Sequence, residues 1–232
     1  DVRPILEAVQ VANEAARGLN AVPQGKISVT APVLFGQQCV VPSVLEYLDL
    51  FPETQVNAVF LDRIVNLLEE DYDVGVRIGE LADSSMRARK VGSVRFGLIA
   101  SPEYLERAGI PQHFSELTAH SLITVQAGNL SPQWKFVEQG KQISQRIQSR
   151  LSVSTNQAAI NACVAGFGIT RVLSYQVAQE LADNKLKFVL ESFEQSPLPV
   201  NIVHREDRLS STKVRSFIDL LAGNLLNNKS LN

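Results

Sequence analysis

Arg77 is the side chain with the most chemistry to offer in this 232-residue chain. It follows Val74-Gly75-Val76, an apolar run that reads as a strand, and so stands at a strand's carboxyl end, where open α/β sheets bind ligands. A guanidinium there either clamps a carboxylate through two parallel hydrogen bonds or forms an internal salt bridge with an acid such as Asp62. The other reactive-looking groups have plainer readings. Glu69, Glu70, Asp71 and Asp73 sit where a helix runs into a strand, so they read as solvated acids rather than a catalytic carboxylate pair. His113, His120 and His204 have no cysteine or carboxylate partner at a metal-ligand spacing. Cys39 and Cys163 fall in apolar helical settings, where cysteine serves as a small packing residue. Arg87, Arg89 and Lys90 form a basic run without interleaved aromatics, which fits alternating exposure on a strand better than a nucleic-acid patch. Gly166-Phe167-Gly168 is half a dinucleotide fingerprint, but it follows a helix and lacks the third glycine. No nucleophile elbow, zinc-protease helix or phosphate loop appears. The expectation is a chain with no catalytic residues, no metal and no cofactor.

The elements that position these residues alternate between strand and helix. Ile27, Val29 and Ala31 alternate with Ser28 and Thr30 as a first strand. Val40, Val41, Val44, Leu45 and Leu48 follow at helical spacing, with Pro42 placing the start of the regular helix near itself. Val56, Ala58 and Phe60 make a second strand, and Asp62 is expected to cap a helix carrying Ile64, Val65, Leu67 and Leu68. Asp73 to Ile78 is a third strand, and Met86 to Val91 with Val94 to Ala100 completes a first lobe. Ser101 then caps a short helix with Pro102 at its first position and Gly109 past its end. Strands are predicted at Leu122 to Val125, Trp134 to Glu138 and Leu151 to Ser154. Thr155 or Asn156 caps a helix to Ala165, Gly166 ends it, and Gly168 to Leu173 returns as a strand. Val200 to Val203 carries the chain back to the first lobe, where Ser210 to Leu226 forms an amphipathic last helix before a polar tail, Asn227 to Asn232.

Composition narrows the function classes. A net charge of -2 and a pI near 6.0 give no global reason to bind nucleic acid or an anionic membrane. Two distant cysteines are no disulfide framework and fit a reduced, cytoplasmic setting. No apolar run approaches the roughly 20 residues of a membrane span. Val2, Ile5, Val9, Ala12, Ala16 and Leu19 form a heptad seam, read here as the end of a longer dimerising helix over residues 1–22. The first residue is Asp1, so the chain is expected to be a processed or excised portion of something longer.

An ordered set of segments carries a family resemblance. Thr30-Ala31-Pro32-Val33-Leu34-Phe35-Gly36 is followed by Phe51-Pro52-Glu53, Asp62-Arg63 and Val74-Gly75-Val76-Arg77-Ile78-Gly79. Then come Leu98-Ile99-Ala100-Ser101-Pro102-Glu103-Tyr104-Leu105, Ala165-Gly166-Phe167-Gly168-Ile169 and Val214-Arg215-Ser216-Phe217-Ile218-Asp219. Over residues 25 to 220 this order resembles the effector-binding domain of LysR-type transcriptional regulators. The resemblance implies an α/β fold of two Rossmann-like lobes joined by two crossing strands, like a type II periplasmic binding protein. Lobe I would span 25–100, lobe II 101–199, and 200–232 would return to lobe I. It further implies a small-molecule effector in the interlobe cleft, a homodimer or homotetramer, and DNA contact only through an N-terminal domain outside this chain. The rival on the same scaffold is a periplasmic solute-binding protein of a transport system.

Strand-end positions give the expected ligand contacts. From the first lobe these are Ala31, Pro32, Leu34, Phe35, Asp62, Arg77, Ile78 and Gly79, with Ala100 and Ser101 at the crossing. From the second lobe they are Thr124, Ser154, Thr155, Asn156 and Phe167. Helix N-termini converge there on a polar ligand, while Leu34, Phe35 and Phe167 supply apolar walls. Pro32 occupies the place where several branches of the family put a hydroxyl, and it offers neither hydroxyl nor backbone N–H.

Overall fold

A computed structural model of the chain describes residues 22–63, 66–67, 69–81, 86–125, 133–205 and 211–231. The heptad helix expected over Val2 to Leu19 lies outside them, as do Ile64, Val65 and Leu68. The described chain divides into two compact units, residues up to Ser93 with Pro199 onward, and Val94–Leu198.

The first unit is a five-stranded sheet in the order β2-β1-β3-β12-β4, formed by β1 (Gly25–Ala31), β2 (Thr54–Phe60), β3 (Val74–Ile78), β12 (Leu198–Arg205) and β4 (Met86–Val94). β1 runs parallel to both β2 and β3, and β12 runs antiparallel to β3. Ile27, Val29 and Ala31 are wholly buried, as their alternation requires. The last helix, α6 (Thr212–Leu226), buries Val214, Phe217, Ile218, Leu221, Ala222 and Leu225, a stripe at helical period. Tyr47 meets Phe217 edge-on at 5.2 Å and donates its hydroxyl to the Lys213 carbonyl at 2.9 Å, locking α6 to α2 (Val41–Leu50). Ahead of α2 lie α1 (Val33–Phe35) and a π-helical turn, Gly36–Val40, whose wider winding ends with Val41 N–H on the Gly36 carbonyl. The regular helix thus starts at Val41, next to Pro42, which has no N–H to lose in a first turn.

The second unit orders its sheet β11-β5-β10-β6-β9, from β11 (Lys187–Val189), β5 (Phe96–Ala100), β10 (Ile169–Leu173), β6 (Leu122–Val125) and β9 (Leu151–Val153). β10, β6 and β9 are parallel, while β5 is antiparallel to β10 and β11. Helices α3 (Pro102–Ala108), α4 (Asn156–Val164) and α5 (Ala178–Ala182) complete it. Its core joins Leu98, Leu105, Leu117 and Leu122 to a hairpin of β7 (Gln133–Glu138) and β8 (Lys141–Arg146), with Phe114 stacked on Phe136 at 4.8 Å. Gln139 and Gly140, both at positive φ, turn that hairpin.

Two expectations differ from the structure. The sequence boundary at Ala100 falls after β5, yet β5 pairs with β10 and β11 and belongs to the second unit. The polar tail hides Leu231, which is fully buried, and a Cβ on Gly92 of β4 would lie 2.7 Å from its carbonyl oxygen.

Candidate functional site

In the first unit, parallel pairing brings three carboxyl ends to one edge. Ala31 stands beside Phe60 in the register, and Thr30 beside Gly75. The residues that follow these strands are Pro32, Leu61-Asp62 and Gly79, with Arg77 and Ile78 closing β3. β12 begins at the same edge: Val200 pairs with Ile78, and Gly79 N–H donates to the Pro199 carbonyl at 2.9 Å.

Asp62 caps α1: its Oδ1 accepts the Val33 N–H at 3.0 Å. Of the helix expected after Asp62, Ile64, Val65 and Leu68 lie outside the described residues, and the Glu70 N–H donates to the Asn66 carbonyl at 3.0 Å. An internal carboxylate therefore occupies the helix end at which an anionic ligand was expected to dock. Arg77 is half-buried and donates from Nη1 to the Val76 carbonyl at 3.0 Å. Burial pulls its pKa below the ordinary arginine value, with Glu70 and Tyr72 acting in the opposite sense. The guanidinium stays charged at neutral pH. Glu70 itself is held by Arg63 through two bonds of 2.7 and 2.5 Å. Leu34 and Phe35, expected as pocket walls, are buried within the first unit at 5% and 0% exposure, and Ala31 is wholly buried.

The second unit separates residues that the sequence reading had grouped. Thr124 and Ser154 to Asn156 do share an edge, because β6 and β9 are parallel with Thr124 beside Ser152. Thr155 caps α4 by accepting the Ala158 N–H at 3.2 Å, and the buried Thr124 hydroxyl donates to Ser149 Oγ at 2.9 Å. Ala100, Ser101 and Phe167 lie at the other end. β5 runs against β10, with Thr170 beside Ile99 and Leu173 beside Phe96, so the carboxyl end of β5 meets the amino end of β10. Ser101 is buried and caps α3 through the Tyr104 N–H at 3.2 Å, whereas Phe167 remains 36% exposed. Reading strand ends without strand direction produced this mixture.

The remaining reactive groups are buried or bonded within the fold. Cys39 and Cys163 are buried free thiols in different units, and burial pushes them up to about 11 and about 12. His113 Nε2 meets Glu138 at 2.9 Å, and His204 is buried with Nδ1 3.0 Å from the Arg205 carbonyl. Among the described residues no cluster of histidine, cysteine and carboxylates could hold a metal, and no helix is long and apolar enough to cross a membrane. Sequence reasoning passed over Arg107 and Arg150, which meet Tyr104, Ser121 and Phe167 around a cavity in the second unit. They come from separate elements, and no local pattern joins them.

Residues 20–225 match the LysR substrate binding domain. The chain is 29% identical over 227 residues to the HTH-type transcriptional regulator CrgA of Neisseria meningitidis serogroup B, covering 97% of this chain and 75% of that protein. The solved structure of CrgA, a LysR-type regulator, superposes with a TM-score of 0.80 at 28% identity, over 97% of this chain and 76% of that one. The regulatory domain of AphB from Vibrio vulnificus gives 0.75 at 25% identity, over 88% and 100%. These likenesses fix the two-unit fold as that of LysR regulatory domains, built like a type II periplasmic binding protein, and favour a regulator over a transport protein. The chain belongs to the LysR-type transcriptional regulators, and residues 20–225 are its substrate-binding domain.

Proposed function

We propose that the domain recognises a small polar effector at the carboxyl ends of its parallel strands, using Pro32, Asp62, Arg77, Ile78 and Gly79 of the first unit. In the second unit the corresponding groups are Thr124, Ser154, Thr155 and Asn156. The observation that supports this most is the placement of a half-buried cation and a carboxylate at one sheet edge, Arg77 bonded to the Val76 carbonyl and Asp62 to the Val33 N–H. Such an edge suits a ligand carrying both an anionic group for Arg77 and a donor for the outer oxygen of Asp62. Amino acids and hydroxy acids have that character. Binding would bias transcription through a DNA-reading module elsewhere in the full-length regulator, working in the cytoplasm as a dimer or tetramer.

The test is a thermal-shift screen of amino and hydroxy acids, followed by calorimetry on the best ligand with wild type, Arg77→Ala and Asp62→Asn. The expected result is at least tenfold weaker binding in Arg77→Ala, with a melting temperature close to wild type. Unchanged affinity in both variants removes this edge from recognition.

A further inference from the structure

We infer that the second unit carries a separate site for a small organic anion, a carboxylate with a flat apolar body, held by Arg107 and Arg150 at the amino end of its parallel strands. The site is a cavity of about 560 Å³ lined by Tyr104, Arg107, Ser121, Arg150 and Phe167, with small apolar wall from Ala108, Ala119 and Ala165. Ser121, Arg150 and Phe167 each lie just ahead of a strand, β6, β9 and β10 respectively. This is the edge opposite Thr124 and Ser154, so the site is distinct from the one proposed above.

Each guanidinium has a neutral hydrogen-bond partner. Arg107 Nη2 donates to the Gly166 carbonyl at 2.6 Å, and its Cζ stands 5.6 Å from the centre of the Tyr104 ring. Arg150 Nη1 donates to Ser121 Oγ at 3.0 Å, and its Cζ stands 5.5 Å from the centre of the Phe167 ring. A guanidinium has five N–H donors in a rigid fork, so each keeps donors to spare. Among the described residues the acid near them is Glu103, whose carboxylate is 78% exposed and 3.7 Å from Arg107, and Arg150 has no carboxylate partner. Among the described residues no acid lines the cavity. Two oriented cations facing an acid-free hollow attract an anion, and the fork selects a planar carboxylate.

The apolar half of the ligand follows from the rings. Phe167 is exposed even though its own loop is tightly held, with Phe167 N–H on the Ala162 carbonyl at 3.1 Å and Gly166 at φ +74 ending α4. A rigidly placed, half-open phenyl ring beside a guanidinium is a stacking surface. The Tyr104 hydroxyl, which accepts Ser121 N–H at 2.9 Å and meets His120 Nδ1 at 3.1 Å, keeps the opposite ring in place. Three alanines keep that wall low, which leaves room for a ring or a short chain.

The probe is benzoate, with benzamide as its neutral isostere, titrated into the full chain and followed through backbone amide NMR shifts. Benzoate is expected to move the Ser121, Gly166 and Phe167 amides in one saturable event. Benzamide is expected to leave them in place, and Arg77→Ala is expected to bind benzoate like wild type. Arg150→Gln should weaken benzoate binding by roughly fivefold or more, the loss of one charge-assisted fork. If that variant does not fold, Arg150→Lys supplies the test, since it keeps the charge and loses the planar fork. Equal binding of benzamide, undiminished binding in the folded Arg150 variant, or the absence of saturable shifts at these amides overturns the inference.

Discussion

Thr30 carries a hydroxyl that the fold has no use for. Its side chain is wholly buried, and Oγ1 has no hydrogen-bond partner among the described residues. The register puts it in one row with Val59 and Gly75, and a Cβ on Gly75 would touch Leu67 and Val203, so that row faces an apolar cluster. A buried unpaired hydroxyl costs about 1–3 kcal/mol, and Thr30→Val keeps the shape while removing it. Chemical denaturation is expected to show the variant more stable by about 1 kcal/mol; a less stable variant means the hydroxyl has a partner in solution. Gly168 is the opposite case. A Cβ there would sit 2.1 Å from the Ser121 carbonyl oxygen, and a backbone atom cannot swing away. Gly168→Ala should cost roughly 2–3 kcal/mol in the same assay. The alternating types in Ile27 to Ala31 did reveal burial. Neither an orphan hydroxyl nor a close backbone approach leaves a trace in sequence, because both depend on what lies across the sheet.

At the scale of elements, local chemistry was legible and direction was not. Ser101 and Thr155 cap the helices that their sequence context indicated, since a cap is written within four residues. The orientation of β5 was not written locally: it is set by β10, far along the chain, and it moved Ala100 and Ser101 to the wrong end of the expected site. Asp62 shows the same limit, since its bond to the Val33 N–H, 29 residues back, is written in no local pattern. Within α6, Gly223 has normal helical geometry and no atom within 4 Å of a Cβ built on it. Gly223→Ala should therefore stabilise the chain by about 0.5–1 kcal/mol, through helix propensity and unfolded-state entropy. A loss of stability would reveal a neighbour at that face of the helix. The 3-10 turn after α6 works the other way, seating Leu231 against β4. Its burial escaped notice because a single leucine among asparagines has no periodicity to read.

For the molecule as a whole, the decisive feature is that one unit is continuous and the other is not. Residues 94–198 form a single stretch with its own sheet and its own core around Leu117, Leu122 and Trp134. The first unit is closed by β12, which lies between β3 and β4, and by α6, which buries its own Ile218 and Leu221. The buried thiols add a pH signature to both units. Their folded values, about 11 for Cys39 and about 12 for Cys163, lie above the ordinary 9.0. Between those limits the folded state holds more protons than the unfolded one, so stability is intact below 9.0 and falls as pH rises above it. Replacing both cysteines by alanine should flatten that alkaline slope. The architecture itself makes the sharper forecast. A fragment of residues 94–198 should fold alone, giving a dispersed amide spectrum and a cooperative melt, because every strand pair of its sheet is retained. A chain ending at residue 198 should lose the first unit, since removing β12 leaves β3 and β4 unpaired along one side, while keeping the second. Should the isolated 94–198 fragment stay unfolded, the two units share a stability that neither core supplies by itself.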